Sequence, residues 1–331
     1  MLRVGMLSSW HVHAHGYAEE LKNISNVHIA AVWDELPDRG KQWAGELNVP
    51  FVPDLDAFVS RDDVDAVVVD APTNRHAEVM VAAAKAKKHI FTEKVMALTV
   101  RECDEIAKAV RQAGVKFCVS FPARTTTKHL FAKRVVDEKL IGDVTFLRVR
   151  VAHNGASAGW LPPHFYDPIQ CGGGAMMDLG AHPMYLARWL GGKPSKVSST
   201  FNYFTEHAVE DNAVAVIEFE NKCIGVAETS FVASRSPDCL ELHGTAGSLF
   251  VGGPEDQVRI FSEKLDDKLR GWMRPADLPA ALPRPIRIWV NGILENTPIP
   301  FGLDEGTQLT ALMEAAYQSH KQGSAAVPVS R

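Results

Sequence analysis

Three stretches of this 331-residue chain carry side chains able to move protons or hold ions. The first is Gly172-Gly173-Gly174-Ala175-Met176-Met177-Asp178-Leu179-Gly180-Ala181-His182, where three glycines run into a helical pattern. Asp178 and His182 are four apart, a spacing that sets carboxylate and imidazole on one helix face. An acid that orients a histidine is a familiar acid–base arrangement. The second stretch is Thr92-Glu93-Lys94-Val95, at the end of an apolar run. Ligands of open α/β sheets bind outside the carboxyl ends of the strands, so an acid and an ammonium there are placed for chemistry or form a surface ion pair. The third is Ser8-Ser9-Trp10-His11-Val12-His13-Ala14-His15. Hydroxyls after a first strand can cap a helix and hold a phosphate. If Trp10–Leu21 is helical, His11 and His15 share a face and His13 points elsewhere. A histidine-x-histidine pair in this position also opens metal-dependent barrel hydrolases. Such a barrel needs eight repeated βα units, which the chain lacks, and no metal is assigned.

The elements that must carry these groups alternate strand and helix through the first third. Strands are expected at Leu2–Leu7, Val27–Trp33, Phe51–Val52, Ala66–Val69, His89–Thr92 and Lys116–Phe121. Helices are expected up to Lys22, over Pro37–Leu47, Arg75–Lys87 and Val100–Ala113. Continuously apolar strands between helices imply a parallel sheet covered on both faces, hence a doubly wound fold. After Pro122 the pattern changes to a helix, Thr126–Glu138, and strand-like segments in series: Val144–Ala152, Lys196–Phe204, Asn212–Glu220, Ile224–Phe231, Leu240–His243 and Ser248–Val251. This predicts a Rossmann-like domain over 1–121 and an α+β domain with a large, mostly antiparallel open sheet over 122–331. Arg274–Pro285 is proline-rich and reads as a loop; a helix over Asp304–Gln322 stops at Gly323.

Composition narrows the function classes. Hydrophobic residues make up 46 % and the net charge is −5, so the chain can bury a core but has no cationic excess for nucleic acid. No 18-residue apolar run or signal peptide is read, and the five scattered cysteines include no CxxC pair. A reduced, cytoplasmic protein is the expectation.

Several motifs together resemble the glucose–fructose oxidoreductase / inositol dehydrogenase (Gfo/Idh/MocA) family. They are Ala71-Pro72-Thr73-Asn74-Arg75-His76, Thr92-Glu93-Lys94, the glycine-led stretch to His182, and Glu210-Asp211-Asn212. Leu242-His243-Gly244-Thr245-Ala246-Gly247 and Leu312-Met313-Glu314-Ala315-Ala316-Tyr317-Gln318-Ser319 complete the likeness. The resemblance implies a Rossmann domain for a nicotinamide cofactor, a sheet domain for a sugar, cyclitol or polyol, and catalytic roles for Lys94, Asp178 and His182. Two positions depart from it. Ser8-Ser9-Trp10 replaces the glycine-rich turn, and Val95 follows the lysine where the family usually has proline.

The expectation is therefore an NAD-dependent oxidoreductase acting on a secondary alcohol. Ser8, Ser9 and His13 are assigned to the pyrophosphate and Asp34 to the adenosine ribose, favouring NAD over NADP. Thr73, Asn74, His76, Glu93 and Lys94 are assigned to the nicotinamide half. His182 is the expected base, held by Asp178, with Lys94 on the reacting oxygen. Arg124, His153, Asn154, Trp160 and His164 are candidates for the substrate pocket. The strand Asn212–Glu220 is apolar on both faces, which suggests a homodimer or homotetramer through the C-terminal sheet. Other readings on the same residues are an NAD-assisted glycosidase, a metal-dependent hydrolase using His11 and His13, and a non-catalytic nucleotide sensor.

Overall fold

A computed structural model describes residues 1–265 and 271–330. The chain divides into two compact units, one of residues 1–120 and 283–310, the other of residues 121–282 and 311–331.

The first unit opens with β1 (Leu2–Leu7), α1 (Ala14–Lys22), β2 (Val27–Trp33), α2 (Pro37–Leu47), α3 (Leu55–Val59) and β3 (Ala66–Val69). It continues with α4 (His76–Lys85), β4 (His89–Thr92), α5 (Val100–Ala113) and β5 (Phe117–Val119). The five strands are parallel, in the order β2-β1-β3-β4-β5. Strand order reverses between β1 and β3, and the carboxyl ends at such a switch point form the natural ligand crevice of this architecture. β3 is Ala-Val-Val-Val and buried throughout, as a central strand covered on both faces must be. α5 shows how sharply the sequence can set a helix. Thr99 and Glu102 form a reciprocal capping box, Gly114 ends the helix at φ +66°, and Cys103, Ile106, Ala107 and Val110 make its buried stripe.

The second unit begins with α6 (Thr127–Asp137), β6 (Val144–Ala152), α7 (Pro168–Cys171), α8 (Ala181–Gly191) and β7 (Pro194–Asn202). Then follow β8 (Asn212–Phe219), β9 (Ile224–Ser230), β10 (Cys239–Gly244), β11 (Gly247–Gly252) and β12 (Gln257–Ser262). With β13 (Val327–Pro328) these make an eight-stranded sheet, β12-β11-β10-β6-β9-β8-β7-β13, antiparallel except where β6 meets β9. α8 lies against β6 and β9. Ala213, Ala215, Ile217 and Phe219 form the buried face of β8, whereas Val216 on its other face is 39 % exposed. α9 (Pro285–Leu294) belongs to the first unit, where Trp289 packs against Phe91 with ring centres 5.7 Å apart. α10 (Leu303–Lys321) begins in the first unit and ends in the second.

The expected α/β class and both sheets are present, and several local expectations are corrected. The sheet of the first unit is open, which removes the barrel fold of the metal-dependent hydrolase reading. Phe51 makes one parallel bridge to Val32 instead of a strand with Val52. The first helix starts at Ala14, so His11 and His13 precede it. Ser8 and Ser9 do not cap it, because its N-cap is His13. α9, β12 and the two-residue β13 are not among the expected elements. Segment 283–310 groups with the first unit, whereas the expected boundary at residue 121 placed it in the second domain. No described helix is long and apolar enough to cross a membrane.

Gly5 shows how tightly β1 is packed. A Cβ there would lie 2.5 Å from Phe58 Cζ and 3.2 Å from Val64 Cγ1. Gly5→Ala should destabilise the protein by about 1–3 kcal/mol through overpacking, read as a lower midpoint in urea. Phe58→Leu in the same chain should recover part of that loss. An unchanged midpoint for Gly5→Ala would contradict the packing.

Candidate active site

The carboxyl edge of the first sheet is polar because each strand ends in a side chain that needs a partner. After β1, Ser8 takes a left-handed conformation, φ +76°, normally the province of glycine. Its neighbours hold it there: Ser8 N donates to Trp33 O at 2.6 Å, and its hydroxyl accepts from Trp10 N at 3.1 Å and Arg39 at 3.2 Å. After β2, Asp34 is buried and heavily engaged. Its Oδ2 accepts from Ser9 N, Ser9 Oγ and Arg39 Nε at 3.0, 3.2 and 2.9 Å. Its Oδ1 accepts from Leu36 N and Arg39, both at 2.8 Å. Arg39 also pairs with Glu35, whose Oε2 is buried with no hydrogen-bond partner among the described residues. Both Asp34 oxygens are thus already occupied by donors of the protein, so an adenosine ribose would have to displace one of them, which counts against the expected ribose contact.

Thr73 is buried in the short turn after β3, and Asn74 beside it is exposed. His76 opens α4 with both ring nitrogens on backbone carbonyls, Nε2 3.0 Å from Ala71 O and Nδ1 3.0 Å from Val95 O. It is only 2 % exposed, so it clasps two loops together and is not a cofactor contact as expected.

Glu93 and Lys94 end β4, both buried, and the Lys94–Val95 peptide is cis. Glu93 Oε1 accepts from His13 Nδ1 at 2.8 Å and from the Tyr17 hydroxyl, which lies 2.8 Å from Ser120 Oγ. Its Oε2 accepts from Lys94 N at 2.9 Å. Burial pushes this carboxyl up, but the charges of His13 and His11, the His13 hydrogen bond and Lys94 outweigh it. The net effect holds Glu93 below the usual carboxylate range. His11 and His13 lie with ring centres 4.6 Å apart, because both sit in the turn before α1 instead of on separate helix faces. Asp70, at the end of β3, is fully buried, and neither carboxylate oxygen has a hydrogen-bond partner among the described residues.

In the second unit the glycine run is shaped by one buried acid. Glu210 Oε1 accepts from Gly174 N at 2.9 Å, Met176 N at 3.0 Å and the Tyr317 hydroxyl at 2.5 Å. A Cβ on Gly173 would sit 1.9 Å from the Tyr317 oxygen, and one on Gly174 would sit 2.1 Å from Glu210 O. Only glycine admits these approaches. Asp178 lies in the irregular turns before α8, so the two residues do not share a regular helix as their spacing suggested. His182, on the first turn of α8, has Nδ1 2.9 Å from the Tyr185 hydroxyl, which accepts from Ala123 N at 3.1 Å. When Nδ1 carries the proton it donates to Tyr185 and leaves Nε2 as the basic nitrogen. Burial, with Asp178 and Asp167 nearby, pushes the Cys171 thiol up to about 12, which argues against a thiolate nucleophile there.

Of the expected pocket residues, three gather. His153 stacks on Phe231 at 5.0 Å and lies 4.7 Å from the Trp160 ring, and Trp160 Nε1 donates to Asn154 Oδ1 at 3.3 Å. Arg124 lies over the Trp189 ring at 4.9 Å, and His164 packs beside Phe165.

Comparison with known sequences decides the family. Residues 5–121 match the profile described as an oxidoreductase family with NAD-binding Rossmann fold, and residues 129–250 match the GFO/IDH/MocA C-terminal domain. The chain belongs to the Gfo/Idh/MocA oxidoreductase family. Among Gfo/Idh/MocA relatives, the myo-inositol 2-dehydrogenase of Thermotoga maritima is 27 % identical over 76 % of each chain. The scyllo-inositol 2-dehydrogenase (NAD(+)) of Bacillus subtilis is 29 % identical over 73 % of this chain and 71 % of that one. A levoglucosan dehydrogenase solved with NADH and L-sorbose shares the fold, with TM-score 0.87, 20 % identity and coverage of 100 % and 99 %. Family motifs alone did not single out Tyr17, Asp70 or Tyr185. Asp70 had a readable signal, since it is the residue that ends the apolar Ala66–Val69 strand.

Asp70 generates a test. Burial, reinforced by the charge of Glu93, pushes its carboxyl well above the ordinary value. The unfolded chain releases this proton near pH 4, while the folded chain keeps it to higher pH. Its contribution to stability is thus full below the unfolded pKa and is lost as pH rises towards the folded one. Asp70→Asn should remove that slope, which can reach about 1.4 kcal/mol per pH unit. In urea denaturation from pH 4 to 8, the variant should gain on the wild type as pH rises; parallel curves would contradict the burial.

Proposed function

We propose that the protein is an NAD-dependent dehydrogenase acting on a secondary alcohol of a sugar, cyclitol or related polyol. The observation that carries this reading is Lys94, 5 % exposed at the carboxyl end of β4, beside a Glu93 whose oxygens are all engaged. The carboxyl edge fits a dinucleotide: Ser8 keeps the left-handed turn without glycine, and Ser8, Ser9, Thr73, Glu93 and Lys94 end consecutive parallel strands. Ser8, Ser9 and His13 serve the diphosphate, and Thr73, Asn74, Glu93 and Lys94 the nicotinamide half. Arg39 is spent on Asp34 and Glu35, leaving a net negative charge after β2 that opposes a 2′-phosphate and favours NAD over NADP. The inositol dehydrogenases among the relatives support the polyol class.

Bound NAD supplies the hydride acceptor. The chain's own work is on the alcohol. His182 Nε2 takes the hydroxyl proton, Asp178 steadies His182, and Tyr185 fixes which nitrogen is basic. The Lys94 ammonium donates to the reacting oxygen and stabilises the negative charge that develops there. His153, Asn154 and Trp160 form the polar and aromatic wall for a polyol, with Arg124 and His164 as further contacts.

Kinetics with NAD and NADP over a polyol panel test this. Lys94→Ala should lose ~100- to 1000-fold in turnover, and His182→Ala ~100- to 10,000-fold. Both variants should still bind NADH, followed by its fluorescence. Near-normal turnover in both, better use of NADP, or release of free sugar without net NADH would overturn the reading.

The same proposal extends to assembly. Val216 and Ile224 leave apolar surface on the outer face of the second sheet, 39 % and 45 % exposed. A second copy covering it makes a homodimer or homotetramer. Light scattering at micromolar concentration should give a multiple of 36.3 kDa; a monomer would contradict it.

A further inference from the structure

We propose that His11, His13 and Glu93 bind one divalent transition-metal ion of the zinc class. It draws on His13 and Glu93, which the nucleotide reading gives to the cofactor, but it does not rest on that reading. One ligand atom from each of the three residues lies within 4.8 Å of the other two. Two imidazoles and a carboxylate are the donor set that zinc and its neighbours favour, and three protein ligands leave room for water or a ligand oxygen. Bonds of about 2.0–2.2 Å put tetrahedral donors roughly 3.4 Å apart. His13 Nδ1 and Glu93 Oε1 are already closer, sharing at 2.8 Å the position a metal would take from a proton. A ligand role for His11 Nδ1 displaces the 3.2 Å hydrogen bond that it accepts from His13 N.

Three features mark this as a built site. Glu93 is 2 % exposed and fixed by Tyr17, itself tied to Ser120, the kind of outer support that orients metal ligands. Asp70 supplies the independent observation. It is a second buried carboxylate with no hydrogen-bond partner, close enough to act electrically on Glu93 and Tyr17. A buried carboxyl without a partner beside an ionised Glu93 is costly to charge, and a dication offsets that cost. Finally, the His13 side chain is 47 % exposed, which opens a route from solvent.

The test uses nucleotide-free full-length protein, stripped with chelator and titrated with Co(II), then Zn(II). The expected result is one ion per chain, with the visible absorption of cobalt in a low-coordinate nitrogen–oxygen site, displaced by zinc. His13→Ala, at a half-exposed position, and Glu93→Gln should each weaken binding by about 100-fold or more, above the range for outer-shell changes. His15→Ala, outside the cluster, should bind as the wild type does. Melting curves of the metal-free variants confirm that they fold. Substoichiometric uptake by the wild type, or unchanged affinity in a folded His13→Ala variant, would overturn the proposal. NADH binding to the same stripped protein is measured separately: metal uptake without NADH binding supports this site, and NADH binding without metal uptake refutes it.

Discussion

A carboxylate buried at the end of a parallel strand must be compensated, and the compensation of Glu93 organises the edge of the first sheet. It draws His13 in from the turn after β1, Tyr17 from α1 and the backbone of Lys94 from its own strand. The region of His13 and Tyr17, 80 and 76 positions away in sequence, is thereby tied to one side chain. The acid at the end of β2 is handled differently. Asp34 is neutralised by Arg39 and two backbone amides, and the serine turn is bound into the same network. Asp70 at the end of β3 has no such answer. The edge therefore contains one acid that is ionised and satisfied, one that is locked, and one left wanting a partner.

The second unit uses the same device once more. Glu210 gathers two amides and a phenol, and the glycines beside it exist because Tyr317 and the Glu210 carbonyl occupy the space a Cβ would need. The turn that leads to Asp178 and His182 is thus held from behind by a buried acid. That separates the residues that shape the turn from the two proposed to act on the alcohol.

Much of this was legible in sequence, for identifiable reasons. Strands such as Ala66–Val69 and Val144–Ala152 declare themselves by composition or alternation, and Val100–Ala113 by its capping box and apolar spacing. The family motifs marked Lys94, Asp178 and His182 as candidates without any geometry. What failed were inferences that extended a helical period too far. Treating Trp10–Leu21 as helix split His11 from His13, and treating Asp178–His182 as helix gave them a shared face. In both places the chain makes irregular turns set by contacts with residues remote in sequence, and no local pattern encodes them. His76 was misread for a related reason. Its motif position suggested a ligand, but its partners are carbonyls at residues 71 and 95, visible only once the loops meet.

A dinucleotide turn made of glycine works by absence: its atoms are backbone, and every side chain added is an obstruction. The turn from Ser8 to His13 has the opposite construction. Its left-handed residue is a serine held by hydrogen bonds, and it carries a tryptophan and two imidazoles where the usual turn carries hydrogen atoms. Such a loop has its chemistry written in replaceable parts. A lineage holding this scaffold can change what the sheet edge recognises by exchanging one side chain at a time, while the strands behind it keep their order and their packing.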